Sequence, residues 1–208
     1  FEHAVDAVPD RVAVVDGGSG REFTYDDLER RSNRLAHLLI GHGVRRGSHV
    51  AVHMHNAVDT LAGFLAAFKL RAVPVNVNYR YVRDELAYVY GDADIVAVLT
   101  QPRYADAARA ATEHPVIVVD DRFEETLAGC SPERDFEVRT DDDLFLMYTG
   151  GTTGAPKGVM WRQADMWRVL GGGIDFYSGE LMADEYAQSA RAGESADFEL
   201  EACDETGR

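Results

Sequence analysis

The chain has 208 residues, is 46% hydrophobic and 27% charged, and carries a formal net charge of -15. This is the composition of an ordinary globular protein, not of a disordered or fibrous one. The acidic balance argues against nucleic acid or an anionic membrane as the main partner, and no apolar run approaches the ~18 residues of a spanning helix. The longest such run, Leu61 to Phe68, is stopped by Lys69. The chain opens Phe1-Glu2-His3, with neither a signal peptide's basic region nor an initiator Met, so its true start is expected upstream. Two distant cysteines, Cys130 and Cys203, point to a reduced, cytoplasmic setting.

Taken in order, the sequence alternates strands and helices. Val12 to Val15 reads as a short strand, followed by a Gly-rich turn at 17–20. Thr24, with Asp27 three residues on, predicts the N-cap of a helix. That helix carries Leu28, Leu35, Leu38 and Leu39 on one side and stops at Gly41-His42-Gly43. Val50 to Met54 reads as a strand. Leu61, Phe64, Leu65 and Phe68 then form a helical stripe at i, i+3, i+4, i+7. Ala72 to Val77 is a strand of uncertain pairing, because Pro74 interrupts it. Val82, Leu86, Val89 and Tyr90 make another helical face. Ile95 to Leu99 and Val116 to Val119 are short apolar runs, separated by an alanine-rich helical stretch, Tyr104 to Ala111. Leu144 to Tyr148 is a strand running straight into a glycine/threonine loop, and a helix is expected from Ala164 to Leu170. The alternation predicts an α/β fold: a layered, mostly parallel sheet with flanking helices. The last 30 residues carry nine acids against Arg191 and Arg208, and few large apolar side chains. They read as a solvated, mobile acidic end.

The loop after Tyr148 carries the strongest signal. It reads Thr149-Gly150-Gly151-Thr152-Thr153-Gly154-Ala155-Pro156-Lys157-Gly158. Glycines let the backbone approach a ligand, and successive backbone N–H groups can form a nest for anionic oxygens. The threonine hydroxyls and the Lys157 ammonium add donors suited to phosphate. The loop differs from the usual P-loop, which needs Gly directly before Lys and Ser or Thr directly after. Here Pro156 precedes Lys157 and Gly158 follows it.

The string 148–158 resembles the threonine/glycine-rich signature of the adenylate-forming (AMP-binding) superfamily. The longer string 144–163, LFLMYTGGTTGAPKGVMWRQ, is most similar to bacterial fatty-acyl-CoA synthetases, as are AVPVNVNYRYVRDEL at 72–86 and the opening 21–39. The resemblance covers about Val5 to Tyr186. It implies the incomplete large N-terminal domain of such enzymes: an α/β subdomain over 1–140, the phosphate loop and the start of a second α/β subdomain over 141–178, and the acidic end over 179–208. It implies a two-step reaction, in which a carboxylate attacks the α-phosphate of ATP and coenzyme A then takes the acyl group. Thr149, Gly150, Gly151, Thr152, Thr153, Gly154 and Lys157 would contact the β- and γ-phosphates, with magnesium bridging them. The family's magnesium-binding Tyr-Gly-x-Thr-Glu stretch, its ribose-binding Asp and its C-terminal lysine have no match here. No catalytic residue is therefore assigned, magnesium and coenzyme A would be held by elements outside this chain, and the chain alone is expected to be inactive. Fatty acids are the first expectation for the substrate, with aromatic and sterol-derived acids open. The alternative is a non-catalytic nucleotide-binding or interaction module.

Other features read more plainly. His49, His53 and His55 could suggest a metal site, but ordinary strand histidines are the expectation, and no metal ligand is assigned. Asp141-Asp142-Asp143 reads as a solvated capping turn. Gly171-Gly172-Gly173 reads as a helix stop, Cys130 as an unreactive thiol without a His partner, and Trp161 and Trp167 as packing residues.

Overall fold

The computed structural model describes residues 1–17, 19–149 and 155–170. Its elements are α1 (Glu2–Ala7), β1 (Val12–Val15), β2 (Glu22–Thr24), α2 (Tyr25–Gly41), β3 (His49–His53), α3 (Val58–Lys69), β4 (Val73–Asn76), α4 (Arg83–Asp92), β5 (Ile95–Thr100), α5 (Pro102–Ala111), β6 (Val116–Val118), α6 (Phe123–Ala128), β7 (Leu144–Thr149), β8 (Lys157–Arg162) and α7 (Gln163–Leu170). The expected acidic end and the Gly171–Gly173 stop lie outside the described residues.

The strands form a six-stranded sheet in the order β6-β5-β3-β4-β7-β8, parallel except for the antiparallel β7–β8 hairpin, and a separate β1–β2 hairpin. Helices cover both faces of the sheet. Leu28, Leu35 and Leu39 of α2, Ala62 and Ala66 of α3 and Phe123 and Leu127 of α6 pack on one face with Val50, Val52 and Leu99. Leu86 and Val89 of α4 and Ala108 of α5 pack on the other with Ala51, Val75, Val98 and Leu146. Strands buried on both faces must be apolar throughout, which is why β3 and β5 read as unbroken runs.

Helix ends follow their local chemistry. The Thr24 hydroxyl accepts from Asp27 N–H while the Asp27 carboxylate accepts from Thr24 N–H, a complete capping box. At the far end of α2, Gly43 takes φ +89°, and the bonds Gly43 N–H to Ile40 C=O and Val44 N–H to Leu39 C=O close a Schellman motif. Helix α3 ends the same way, but the left-handed position is Arg71, at φ +55°. A side chain there costs about 1–2 kcal/mol relative to glycine.

The Leu61/Phe64/Leu65/Phe68 stripe is helical as expected, yet it flanks the face that lies closest on the sheet. The buried face of α3 is Val58, Ala62, Gly63, Ala66 and Ala67, while Leu61 is 39% exposed. Gly63 explains the inversion: a Cβ there would stand 2.7 Å from Leu99 Cδ2. Small residues let the helix lie close on the sheet, and the larger ones are displaced to its flank. There Phe64 and Phe68 meet Phe145 of β7, at centroid distances of 5.5 and 6.3 Å. Strand β4 is interior despite Pro74, because its pairing with β7 begins only at Val75. The missing N–H of Pro74 therefore precedes that ladder.

A buried ionic network ties α1, α2 and α3 to the segment before β7. Lys69 Nζ donates to Glu2 at 2.6 Å and to Glu29 at 2.8 Å, Arg134 reaches Glu29 and Asp6 at 2.8 Å, and Arg139 donates to Glu2. Burial alone would raise the Glu2 carboxyl, but the bonds from Arg139 and Lys69 outweigh it and hold it at about 2. On the far side of α2, Arg31 bridges Asp59 of α3 and Glu124 of α6, at 2.6 and 2.7 Å.

Candidate functional site

The site is built on the β7–β8 hairpin. Its antiparallel register runs from Leu144 opposite Arg162 to Thr149 opposite Lys157. Thr149 and Lys157, eight positions apart, are thus brought face to face at the open end, both exposed. Gly150, Gly151, Thr152, Thr153 and Gly154 lie outside the described residues. Lys157 makes no ion pair among the described residues, so its ammonium is available to an incoming anion. A hydroxyl and a free cation, with no carboxylate at the neighbouring described positions 155–160, suit an anionic oxygen and repel no phosphate.

Three anchors fix this hairpin. At the base of β7, Asp143 accepts from Arg71 Nη2 at 3.0 Å and from Thr140 N–H at 2.8 Å, and Arg71 Nη2 also donates to Thr140 Oγ1. Burial would raise the Asp143 carboxyl, but Arg71 and the Thr140 amide outweigh it and hold it below the usual carboxylate range. The expectation of a solvated Asp141–Asp143 turn is therefore corrected at its third member. Asp143 is 9% exposed and receives the side chain of the strained Arg71. Asp142 stays on the surface and faces Arg162 at 3.2 Å. The second anchor is the Phe64/Phe68/Phe145 contact. The third is Tyr148, whose hydroxyl donates to Asp92 Oδ2 at 2.6 Å.

Sequence reasoning missed Arg71, Asp92 and the burial of Asp143. Each pair is joined across 56 or more positions, and nothing in the local pattern links them. The only local hint was the non-glycine residue at a helix stop. Trp161, expected to pack, is 37% exposed on β8.

The three histidines have three different surroundings. His49 Nδ1 bonds to the Ala93 carbonyl, His55 stacks on Tyr79 at 3.8 Å, and His53 is fully buried beside Tyr90 and Tyr104. Burial lowers His53 to about 4, so it is neutral at pH 7. No cluster of three potential metal ligands exists among the described residues. Cys130 is a free thiol. No helix among the described residues is long and apolar enough to cross a membrane.

A sheet of this order, with helices on both faces and an antiparallel β7–β8 pair flanking a Gly/Thr-rich motif, has the architecture of the N-terminal domain of adenylate-forming enzymes. The N-terminal domain of FACL13 from Mycobacterium tuberculosis superposes with a TM-score of 0.71 at 29% identity, covering 77% of this chain and 42% of that one. The chain matches the AMP-binding enzyme family over residues 1–188 and belongs to it. It is 47% identical to a 3-oxocholest-4-en-26-oate–CoA ligase of Rhodococcus rhodochrous, over 92% of this chain and 37% of that ligase. It is 44% identical to a medium/long-chain-fatty-acid–CoA/3-oxocholest-4-en-26-oate–CoA ligase of Mycolicibacterium smegmatis, again over 92% and 37%. The chain thus spans little more than a third of the length of these relatives.

The family implies ATP, magnesium and coenzyme A. The described donors at Thr149 and Lys157 fit phosphate oxygens. They offer magnesium no carboxylate, and no described group is assigned to coenzyme A.

Proposed function

We propose that the chain is the amino-terminal part of an ATP-dependent carboxylic acid–CoA ligase that works through an acyl-adenylate, and that the hairpin loop from Thr149 to Lys157 grips the β- and γ-phosphates. The observation that carries this reading is the register that sets Thr149 against Lys157, which makes no ion pair among the described residues, at the two ends of the Gly/Thr-rich motif. In the adenylation step the departing pyrophosphate gathers charge. Donors aimed at it stabilise the transition state more than the ground state. Lys157 supplies a mobile charge for that task, and Thr149, Gly150, Gly151, Thr152, Thr153 and Gly154 supply hydroxyl and backbone donors. Magnesium would bridge the phosphates, and coenzyme A would take the acyl group, both through elements beyond the described residues.

The ligase names of the relatives support a fatty or steroid side-chain acid as substrate. A cytoplasmic setting belongs to the same reading, as does the division at 1–140, 141–178 and 179–208. Lys157→Ala should weaken MgATP binding to the 208-residue chain about tenfold, a shift of about 1.4 kcal/mol, at an unchanged melting temperature. Equal affinity in the two proteins overturns the assignment of Lys157. Acid-dependent pyrophosphate exchange is expected only from the complete ligase. Robust exchange by these 208 residues alone would overturn the view that they hold half of an active site.

A further inference from the structure

Tyr148 is the last buried residue before the loop, 8% exposed and followed directly by the exposed Thr149. Its ring is held from two sides. On one, the hydroxyl donates to Asp92, the last residue of α4, at 2.6 Å. On the other lies the backbone of Gly158, where a Cβ would stand 3.2 Å from Tyr148 Cζ, 3.3 Å from its Cε2 and 3.1 Å from Leu146 Cδ1. A side chain at this position would press the ring or the strand aside by a few tenths of an ångström. Asp92 is an odd choice for α4 itself. A carboxylate at a helix C-terminus faces the negative end of the dipole, and the last turn of α4 has no basic residue to offset it. Among the described residues its carboxylate accepts one bond, from Tyr148.

We propose that Asp92 is a positioning residue for the phosphate loop: by holding the Tyr148 hydroxyl against α4 while Gly158 closes the other side of the ring, it fixes the direction in which β7 delivers Thr149 opposite Lys157, and so sets the affinity for a polyphosphate. The affinity part rests on the phosphate-loop reading above. Asp92 acts entirely through Tyr148 and touches no ligand. Burial first, and the bond to Asp92 second, push the phenol well above its ordinary value, so it remains a donor across the working pH range.

The test uses the 208-residue chain with Asp92→Ala, Asp92→Asn, Tyr148→Phe and the double variant Asp92→Ala/Tyr148→Phe. Amide exchange at Thr149 and Lys157, the MgATP dissociation constant and the melting temperature are read together. Asp92→Ala and Tyr148→Phe should each speed exchange at Thr149 and Lys157 by about tenfold and leave Val52 and Val98 in the sheet centre unchanged. Each should weaken MgATP by about tenfold, with the double variant no worse than either single one. Asp92→Asn keeps an acceptor oxygen and should recover most of both effects. Unchanged exchange at Thr149 and Lys157 overturns the proposal. So does exchange that rises evenly across the sheet with a fall in melting temperature, since that marks a merely structural contact. If the parent chain binds no MgATP at all, the phosphate reading and the affinity half of the proposal fall together, whereas loss of the exchange effect with MgATP binding intact removes the positioning role alone.

Discussion

Strands β3 and β8 belong to one sheet and are both rich in apolar residues, yet they live in opposite conditions. In β3, residues 50–53 are buried at 1% exposure or less, with helices on both faces. In β8 all six residues are exposed, including Val159 at 39%, Met160 at 71% and Trp161 at 37%. The first is held by packing from both sides. The second is held by its ladder to β7 and by the anchors along that strand. The centre of the sheet therefore carries the stability, while the hairpin carrying the candidate site draws on it through a few long-range contacts.

The largest effect is expected where the body buries charge. Lys69, with a side chain 3% exposed, lies between Glu2 and Glu29. Lys69→Met leaves both carboxylates without this partner and should cost about 3–5 kcal/mol in urea unfolding. A loss below about 1 kcal/mol would show that the network does not hold the body. Leu39, fully buried on α2, should cost about 2–5 kcal/mol as Leu39→Ala, read from the same transition.

Next comes the pH response of β3. Folding lowers His53 from 6.5 to about 4, so the unfolded chain takes up its proton first as the pH falls. Stability is full above 6.5 and drains away between 6.5 and 4, by on the order of 3 kcal/mol at most. Urea midpoints at pH 7 and 4.5 should differ less in His53→Gln than in the parent. Glu2 acts in a lower window: its carboxyl, held at about 2 against an ordinary 4.5, loses its contribution as the pH falls from 4.5 to 2. The smallest effect belongs to β8. Met160→Ser should shift stability by no more than about 0.5 kcal/mol. A loss near that of Leu39→Ala would erase the contrast between the two strands.

Much of the body was legible locally. The capping box at Thr24 and Asp27, the glycine stop at Gly43 and the apolar runs of β3 and β5 each announce themselves within a few residues, because each is satisfied by near neighbours or by burial on both faces. The α3 stripe shows where such reading stops. Periodicity identifies the helix, but which face turns inward depends on how closely the sheet lets it approach, and Gly63 against Leu99 decides that. Pro74 left the pairing of its strand uncertain, and the strand is interior, because its missing donor falls outside the ladder with β7.

The sequence by itself determined the class of fold, the family and the position of the Gly/Thr-rich motif, since these rest on periodicity, turn chemistry and a contiguous string of residues. Only the tertiary structure decided that Asp143 is buried against Arg71, that Tyr148 is latched to Asp92, and that Thr149 meets Lys157 across a ladder. The first two pairings join residues 72 and 56 positions apart and draw on desolvation and hydrogen bonding, and the third depends on the β7–β8 register; all exist only once the sheet has formed.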